Sequence, residues 1–102
     1  MIYKKSNSNE EKFVKQLEHL REQINHLDEE LISLISTRMK VAREIGEIKK
    51  NSKITVLQAN RYNEILDRAI NKGAQVGLSE EFIKSYLESI HIESIRIQNS
   101  II

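Results

Sequence analysis

Residues 17–50 read LEHLREQINHLDEELISLISTRMKVAREIGEIKK, and the spacing of their apolar side chains decides the fold. Leu17, Leu20, Ile24, Leu27, Leu31 and Leu34 are followed, after a gap, by Val41, Ile45 and Ile48. The steps alternate three and four, the period of a helix that packs along a seam. From about Glu11 to Lys50 the only glycine is Gly46 and there is no proline, so nothing interrupts the pattern. The spacing therefore predicts one long helix. Forty residues at the α-helical rise extend about 60 Å, whereas a compact domain of this length has a radius of gyration of about 13 Å. Such a helix outruns the core of a monomer, and its seam needs cover from another chain. Dimerisation is the simplest solution.

Outward from this stretch the pattern changes on both sides. Residues 1–10 (MIYKKSNSNE) are polar and aperiodic, and read as a loose leader or the remnant of a domain boundary ahead of one domain over 11–102. Asn51-Ser52-Lys53 breaks the long helix. Thr55 followed by Gln58 fits a capping box, so a second, short helix is expected from there to about Lys72. Gly73 ends it on this reading, with the turn GAQVG running to Gly77. Ser79 ahead of Glu80 and Glu81 makes a good start for a third helix of medium length, by capping and by charge against the helix dipole. That helix carries Ile83, Leu87, Ile90, Ile97 and Ile101 on one stripe. The expectation is an all-α protein of three helices, arranged as an intertwined antiparallel homodimer.

Composition agrees and narrows the function. The 102 residues include no proline, three glycines and few aromatics, while 30% are charged. Leu, Glu, Lys, Gln and Arg abound, and all of them lose little on entering a helix. A formal charge of +1 from 16 basic and 15 acidic side chains is no footprint for nucleic acid. With no cysteine, thiolate catalysis and Cys-based zinc sites are excluded. His19, His26 and His91 have no second cluster of ligands to join them. No apolar stretch is long enough for a bilayer, and a cytoplasmic protein without cofactor or metal is expected.

The seam contains an anomaly. The step after Leu34 lands on Arg38, so a guanidinium stands where a Leu or Ile belongs. An isolated arginine there is often one that snorkels to water or fixes register. The neighbouring row reads Arg21, Asn25, Asp28, Ile32, Ile35, Met39, Ala42, Gly46, Lys49, with a cation at each end. On one helix Arg21 and Lys49 lie about 42 Å apart, too far for a common ligand. In an antiparallel pair crossing near Ile35, Arg21 of one chain approaches Lys49 of the other. Arg38 and Lys49, three turns apart on nearly one face, converge on a small anion between them. Spacing alone does not choose between such a pocket and the solvated ends of a helix flank. Arg61 on the second helix, and Ser94 and Gln98 on the side of the third that also holds His91, are further candidates. Each by itself is equally at home on a surface or in local hydrogen bonding.

The run LREQINHLDEELISLISTRMKVAREIGEIKK, residues 20–50, resembles the first helix of the all-α (AroQ-class) chorismate mutases. The shared pattern is Leu-Arg, a spaced Ile-Asp-x-Leu-Asp with Asn25 in place of the first Asp, leucine pairs, an Arg, then Ile-Gly and a Lys. The likeness continues through Arg61, GLSEEFI at the start of the third helix and the closing ESIRIQ, covering roughly residues 15–100. It implies the rearrangement of chorismate to prephenate in aromatic amino acid biosynthesis, with no cofactor. By position, Arg21 resembles the arginine that enters the partner subunit's site, and Arg38 the one holding a substrate carboxylate within its own chain. Lys49 resembles the lysine reaching the ether oxygen and a carboxylate, and Arg61 the arginine near the other carboxylate. Ser94 and Gln98 match the third-helix pair, Gln98 donating to the ether oxygen. Two positions depart from the family: Gln58 and Tyr62 stand where it often has acids, which leaves Gln58 a role as cap partner and Tyr62 either to hydrogen-bond the substrate hydroxyl or to pack.

Two other readings stay open on sequence. An isochorismate-pyruvate lyase on the same scaffold would use a similar cationic pocket. A non-catalytic helical module that dimerises or regulates another shikimate-pathway enzyme would need the seam but not Arg38.

Overall fold

The computed structural model describes residues 8–52 and 61–100. They form three α-helices: α1 (Ser8–Ser52), α2 (Arg61–Gln75) and α3 (Glu80–Asn99). Among the described residues there is no strand, and no helix is long and apolar enough to cross a membrane. The fold class expected from the apolar spacing is the one observed. α1 starts earlier than the spacing suggests and takes in Ser8, Asn9 and Glu10. Glu10 and Glu11 in its first turn and Lys49 and Lys50 in its last complement the dipole. The proposed Thr55–Gln58 capping box and Ile101 lie outside the described residues.

The chain divides into two units, Met1–Thr37 and Arg38–Ile102. The first, from Ser8, is the N-terminal part of α1. Its seam residues Leu17, Leu20, Ile24, Leu27, Leu31 and Leu34 are 50–67% exposed, and only Ile35 is half-buried.

The second unit holds the core. Here the buried row of α1 is Met39, Ala42 and Gly46, spaced three and four. The leucine seam is not the buried stripe: its continuation, Val41, Ile45 and Ile48, stays 43–63% exposed. On α3 the buried stripe is Ile83, Leu87, Ile90 and then Ser94, with Ile97 half-buried. A hydroxyl thus occupies a core position, which makes its hydrogen bonds decisive below.

α2 and α3 pack against each other as a helical hairpin, and two glycines with different duties make it. Gly73 does not end α2, as expected from sequence; the helix runs on to Gln75. Gly73 is buried because Ile83 lies against it: a Cβ there would meet Ile83 Cγ1 at 2.8 Å and Cδ1 at 2.9 Å. The terminator is Gly77, whose φ of 85° suits a residue without Cβ. The Leu78 amide donates to the Gly73 carbonyl at 2.8 Å and the Gly77 amide to that of Ala74 at 3.3 Å. These are the paired bonds of a Schellman ending, which satisfy carbonyls the helix leaves open. At the next boundary Ser79 caps α3 as expected, its hydroxyl accepting from the Phe82 amide at 3.1 Å.

Candidate functional site

Within the second unit the three helices line an open-sided cavity of about 450 Å³, a size typical of small-molecule sites. α1 brings Arg38 and Lys49 to it, three turns apart, and α2 brings Arg61 and Tyr62 from its first turn. α3 lines it with His91, Ser94 and Gln98 at positions i, i+3 and i+7, one face of the helix. Val41, Ala42, Ile45, Ile65 and Ile95 supply the apolar wall.

The centre of the arrangement is a bond between helices. Arg38 Nη1 donates to Ser94 Oγ at 2.9 Å. Ser94, buried on the α3 stripe, donates in turn to the Ile90 carbonyl at 2.9 Å, and its Oγ also lies 3.7 Å from Met39 Sδ. A hydroxyl has one proton and two lone pairs, so donating to Ile90 leaves it free to accept from Arg38. The guanidinium is held at one nitrogen and keeps its remaining donors for a ligand.

The electrostatics are one-sided. Among the described residues, Arg38, Lys49 and Arg61 line the cavity and no Asp or Glu does. Ion pairs among the described residues lie elsewhere: His26 with Glu22, Arg43 with Glu47, Lys84 with Glu80, and Arg96 with Glu93. In the last of these the Arg96 hydrogen bond to Glu93 holds that carboxyl below its ordinary value. Three cations beside apolar walls are chemically suited to a small, multiply negative molecule. Guanidinium forks grip carboxylates in two-point fashion, while the ammonium acts as a movable point charge.

Arg38, Lys49, Arg61, Tyr62, Ser94 and Gln98, all singled out from sequence, line this one cavity. Arg21 belongs to the first unit, where it is exposed. Gln58 lies outside the described residues. Sequence reasoning placed His91 on the side of Ser94 and Gln98 but gave it no part. In the structure its ring lies against that of Tyr62, centroids 4.6 Å apart and planes at 48°. The helical spacing of His91 carried that signal; its pairing across to α2 did not show in the sequence.

Comparison with known proteins gives the family. Residues 20–99 match the family described as chorismate mutase type II. The bifunctional chorismate mutase/prephenate dehydratase of Aquifex aeolicus (strain VF5) is 32% identical over 63 residues, covering 62% of this chain and 17% of the relative. Its namesake from Escherichia coli (strain K12) is 31% identical over 83 residues, 81% of this chain and 22% of the relative. A 4-amino-4-deoxychorismate mutase of Streptomyces venezuelae is 26% identical over 84 residues, 82% of each chain. The chain thus spans about a fifth of the length of the two bifunctional relatives. The family match takes in nearly all of the cavity-bearing unit together with the seam of α1 from Leu20 onward, and the chain belongs to the chorismate mutase type II family.

Proposed function

We propose that the chain catalyses the rearrangement of chorismate to prephenate. The observation that carries this reading is the cavity, three cations and, among the described residues, no carboxylate around about 450 Å³, in a chain of this family. The reaction is a concerted [3,3] shift in which a carbon–oxygen bond breaks as a carbon–carbon bond forms. It needs no nucleophile and no proton transfer. The protein's tasks are to hold a flexible dianion in its reactive chair and to stabilise the charge that develops on the ether oxygen. Confinement removes an entropic part of the barrier. Arg38 and Arg61 suit the two carboxylates. Lys49 and Gln98 suit the ether oxygen, where a donor binds the transition state better than the substrate. Losing one preorganised donor of this kind typically costs about 3 kcal/mol, on the order of a hundredfold in rate.

The same reading includes a homodimer. Arg21 and Lys49 stand four heptads apart on α1, so Arg21 serves the site of a second copy crossing antiparallel. Six large seam residues in the first unit, all at least half exposed, favour such a cover. A cytoplasmic setting in aromatic amino acid biosynthesis belongs to this proposal. So does an association with the enzyme that consumes prephenate, an activity that two relatives carry in one chain by name.

The decisive experiment is incubation of purified protein with chorismate and detection of prephenate. Absence of product refutes the proposal, and salicylate with pyruvate from isochorismate assigns the lyase instead. Arg38→Leu should cut turnover about a hundredfold or more with the helical assembly intact; improved stability with no lost activity would favour a scaffold role for this position. Mixing Arg21→Ala and Lys49→Ala subunits, each inactive alone, should restore part of the activity through hybrid dimers. No recovery would refute the shared site.

A further inference from the structure

We propose that His91 is a further ligand-binding residue of the cavity, one that takes up a proton as a dianionic ligand enters and so tightens binding on the acid side of neutrality. The inference rests on the reading of the cavity as the site of a small dicarboxylate and adds a titratable residue that this reading leaves unused.

Three observations carry it. The first is position: His91 lines the cavity from α3, on the face that also presents Ser94 and Gln98. The second is how the ring is held. It rests against the Tyr62 ring of α2, centroids 4.6 Å apart, a contact that places the imidazole without occupying its nitrogens. Those nitrogens make no hydrogen bond among the described residues. An aromatic face also attracts a cation, so this neighbour accommodates the ring in either charge state. The third is the set of charged and titratable groups around it. Arg38 and Lys49 face the cavity from α1, and Arg61 and Tyr62 from α2. On α3 itself Glu88, one turn before His91, forms no ion pair with it among the described residues. No described carboxylate therefore holds an imidazolium at this place, and the anion that favours one arrives with the ligand.

The chemistry gives the direction. Of the side-chain types in the lining, only imidazole ordinarily changes charge between about pH 5 and 8, whereas the carboxylates of a ligand are ionised throughout that range. A dianion beside the ring favours its charged form. By reciprocity, a proton bound together with the ligand makes the ligand bind more tightly as pH falls. The proton comes from solvent and returns there when the product leaves; the rearrangement itself moves none. His91 is exposed, so the attraction is partly screened and changes affinity about threefold to fivefold.

The test measures kcat and KM for chorismate across the range from about pH 5.5 to about pH 8, with the wild-type chain and with His91→Gln and His91→Lys, two variants in case one misfolds. In wild type KM should rise about threefold to fivefold from the acid to the alkaline end, with kcat nearly level. His91→Gln, polar but never charged, should lose that dependence and keep the higher KM throughout. His91→Lys, charged over the whole range, should lose it too and keep the lower KM. Circular dichroism checks that each variant is folded. A wild-type KM that does not move with pH, or a dependence that survives in both variants, overturns the inference and leaves the mutase reading standing. Absence of turnover at every pH removes the mutase reading, and this inference with it.

Discussion

Ser94→Ala separates the two jobs its hydroxyl performs. On the stability side little is lost. The bond to the Ile90 carbonyl returns to the residue four positions back, a pattern that helices gain nothing from and that often bends them. Alanine also has the higher helix propensity, by about half a kcal/mol. Against this, Arg38 Nη1 loses an acceptor at 2.9 Å. A hydrogen bond to a charged group is worth about 1.5–3 kcal/mol when sealed from water, but Arg38 is exposed and water replaces part of it. The net change in unfolding free energy should stay within about 1 kcal/mol. Function is affected more, because the guanidinium loses the contact that aims it into the cavity. Misplacement of a binding group by about 1 Å can reduce rate a hundredfold; with one of several contacts removed, we expect kcat/KM on chorismate to fall about tenfold to thirtyfold. A double-mutant cycle with Arg38→Ala identifies the route. If Ser94 acts through Arg38, adding Ser94→Ala to the Arg38→Ala chain changes almost nothing. Full additivity would refute that route, as would unaltered kinetics accompanied by a loss above about 2 kcal/mol in stability, the signature of a purely structural serine.

Further outcomes follow from the same coordinates. Gly77→Ala meets open space but keeps a φ of 85°, so thermal unfolding should show a loss of about 1–2 kcal/mol that Gly77→Asn largely avoids. Gly73→Ala gains about 1 kcal/mol of helix propensity yet drives a methyl to 2.8 Å from Ile83, an overpacking worth about 1–3 kcal/mol. It should destabilise, and Ile83→Val in the same chain should recover part of the loss. Gln98→Glu should move the activity optimum to acid pH, because the new side chain donates to the ether oxygen only when protonated; a flat pH–rate profile would remove Gln98 from that role. Glu93 is held below its ordinary value by its hydrogen bond with Arg96. A carboxylate with a depressed folded value stabilises above the unfolded value, and its contribution disappears as pH falls through the folded one. Since the pair is exposed, Glu93→Gln should leave the unfolding midpoint near neutrality unmoved and weaken only the acid-side decline.

What the sequence disclosed, and what it withheld, divides along physical lines. Helical periodicity and the Ser79 cap are local properties, and both appear where expected. Gly73 and Gly77 show where local reasoning stops. A glycine needed for a positive φ and one needed for the close approach of Ile83 are the same letter, and only packing tells them apart. The cations were legible for the opposite reason: Arg38 violates a pattern strong enough for one violation to stand out. Tyr62 and His91 violate nothing, since each sits at an unremarked position and gains its meaning only from the ring beside it.

The two rows of α1 now account for one another. Within the second unit the helix buries its flank of Met39, Ala42 and Gly46, residues of small or adaptable shape that leave room beside them. Were the leucine seam turned inward there instead, Val41 and Ile45 would occupy the core, and Arg38, which shares that seam, would carry its charge in with them. Burying the flank sets Val41 and Ile45 at the cavity wall beside Arg38, where an apolar surface and a cation serve one ligand. In the first unit, taken by itself, the seam residues from Leu17 to Leu34 are at least half exposed. An arginine that mars a packing stripe thus becomes, in the second unit, part of a cavity wall, and the proposed site at the junction of two copies needs that orientation of the helix.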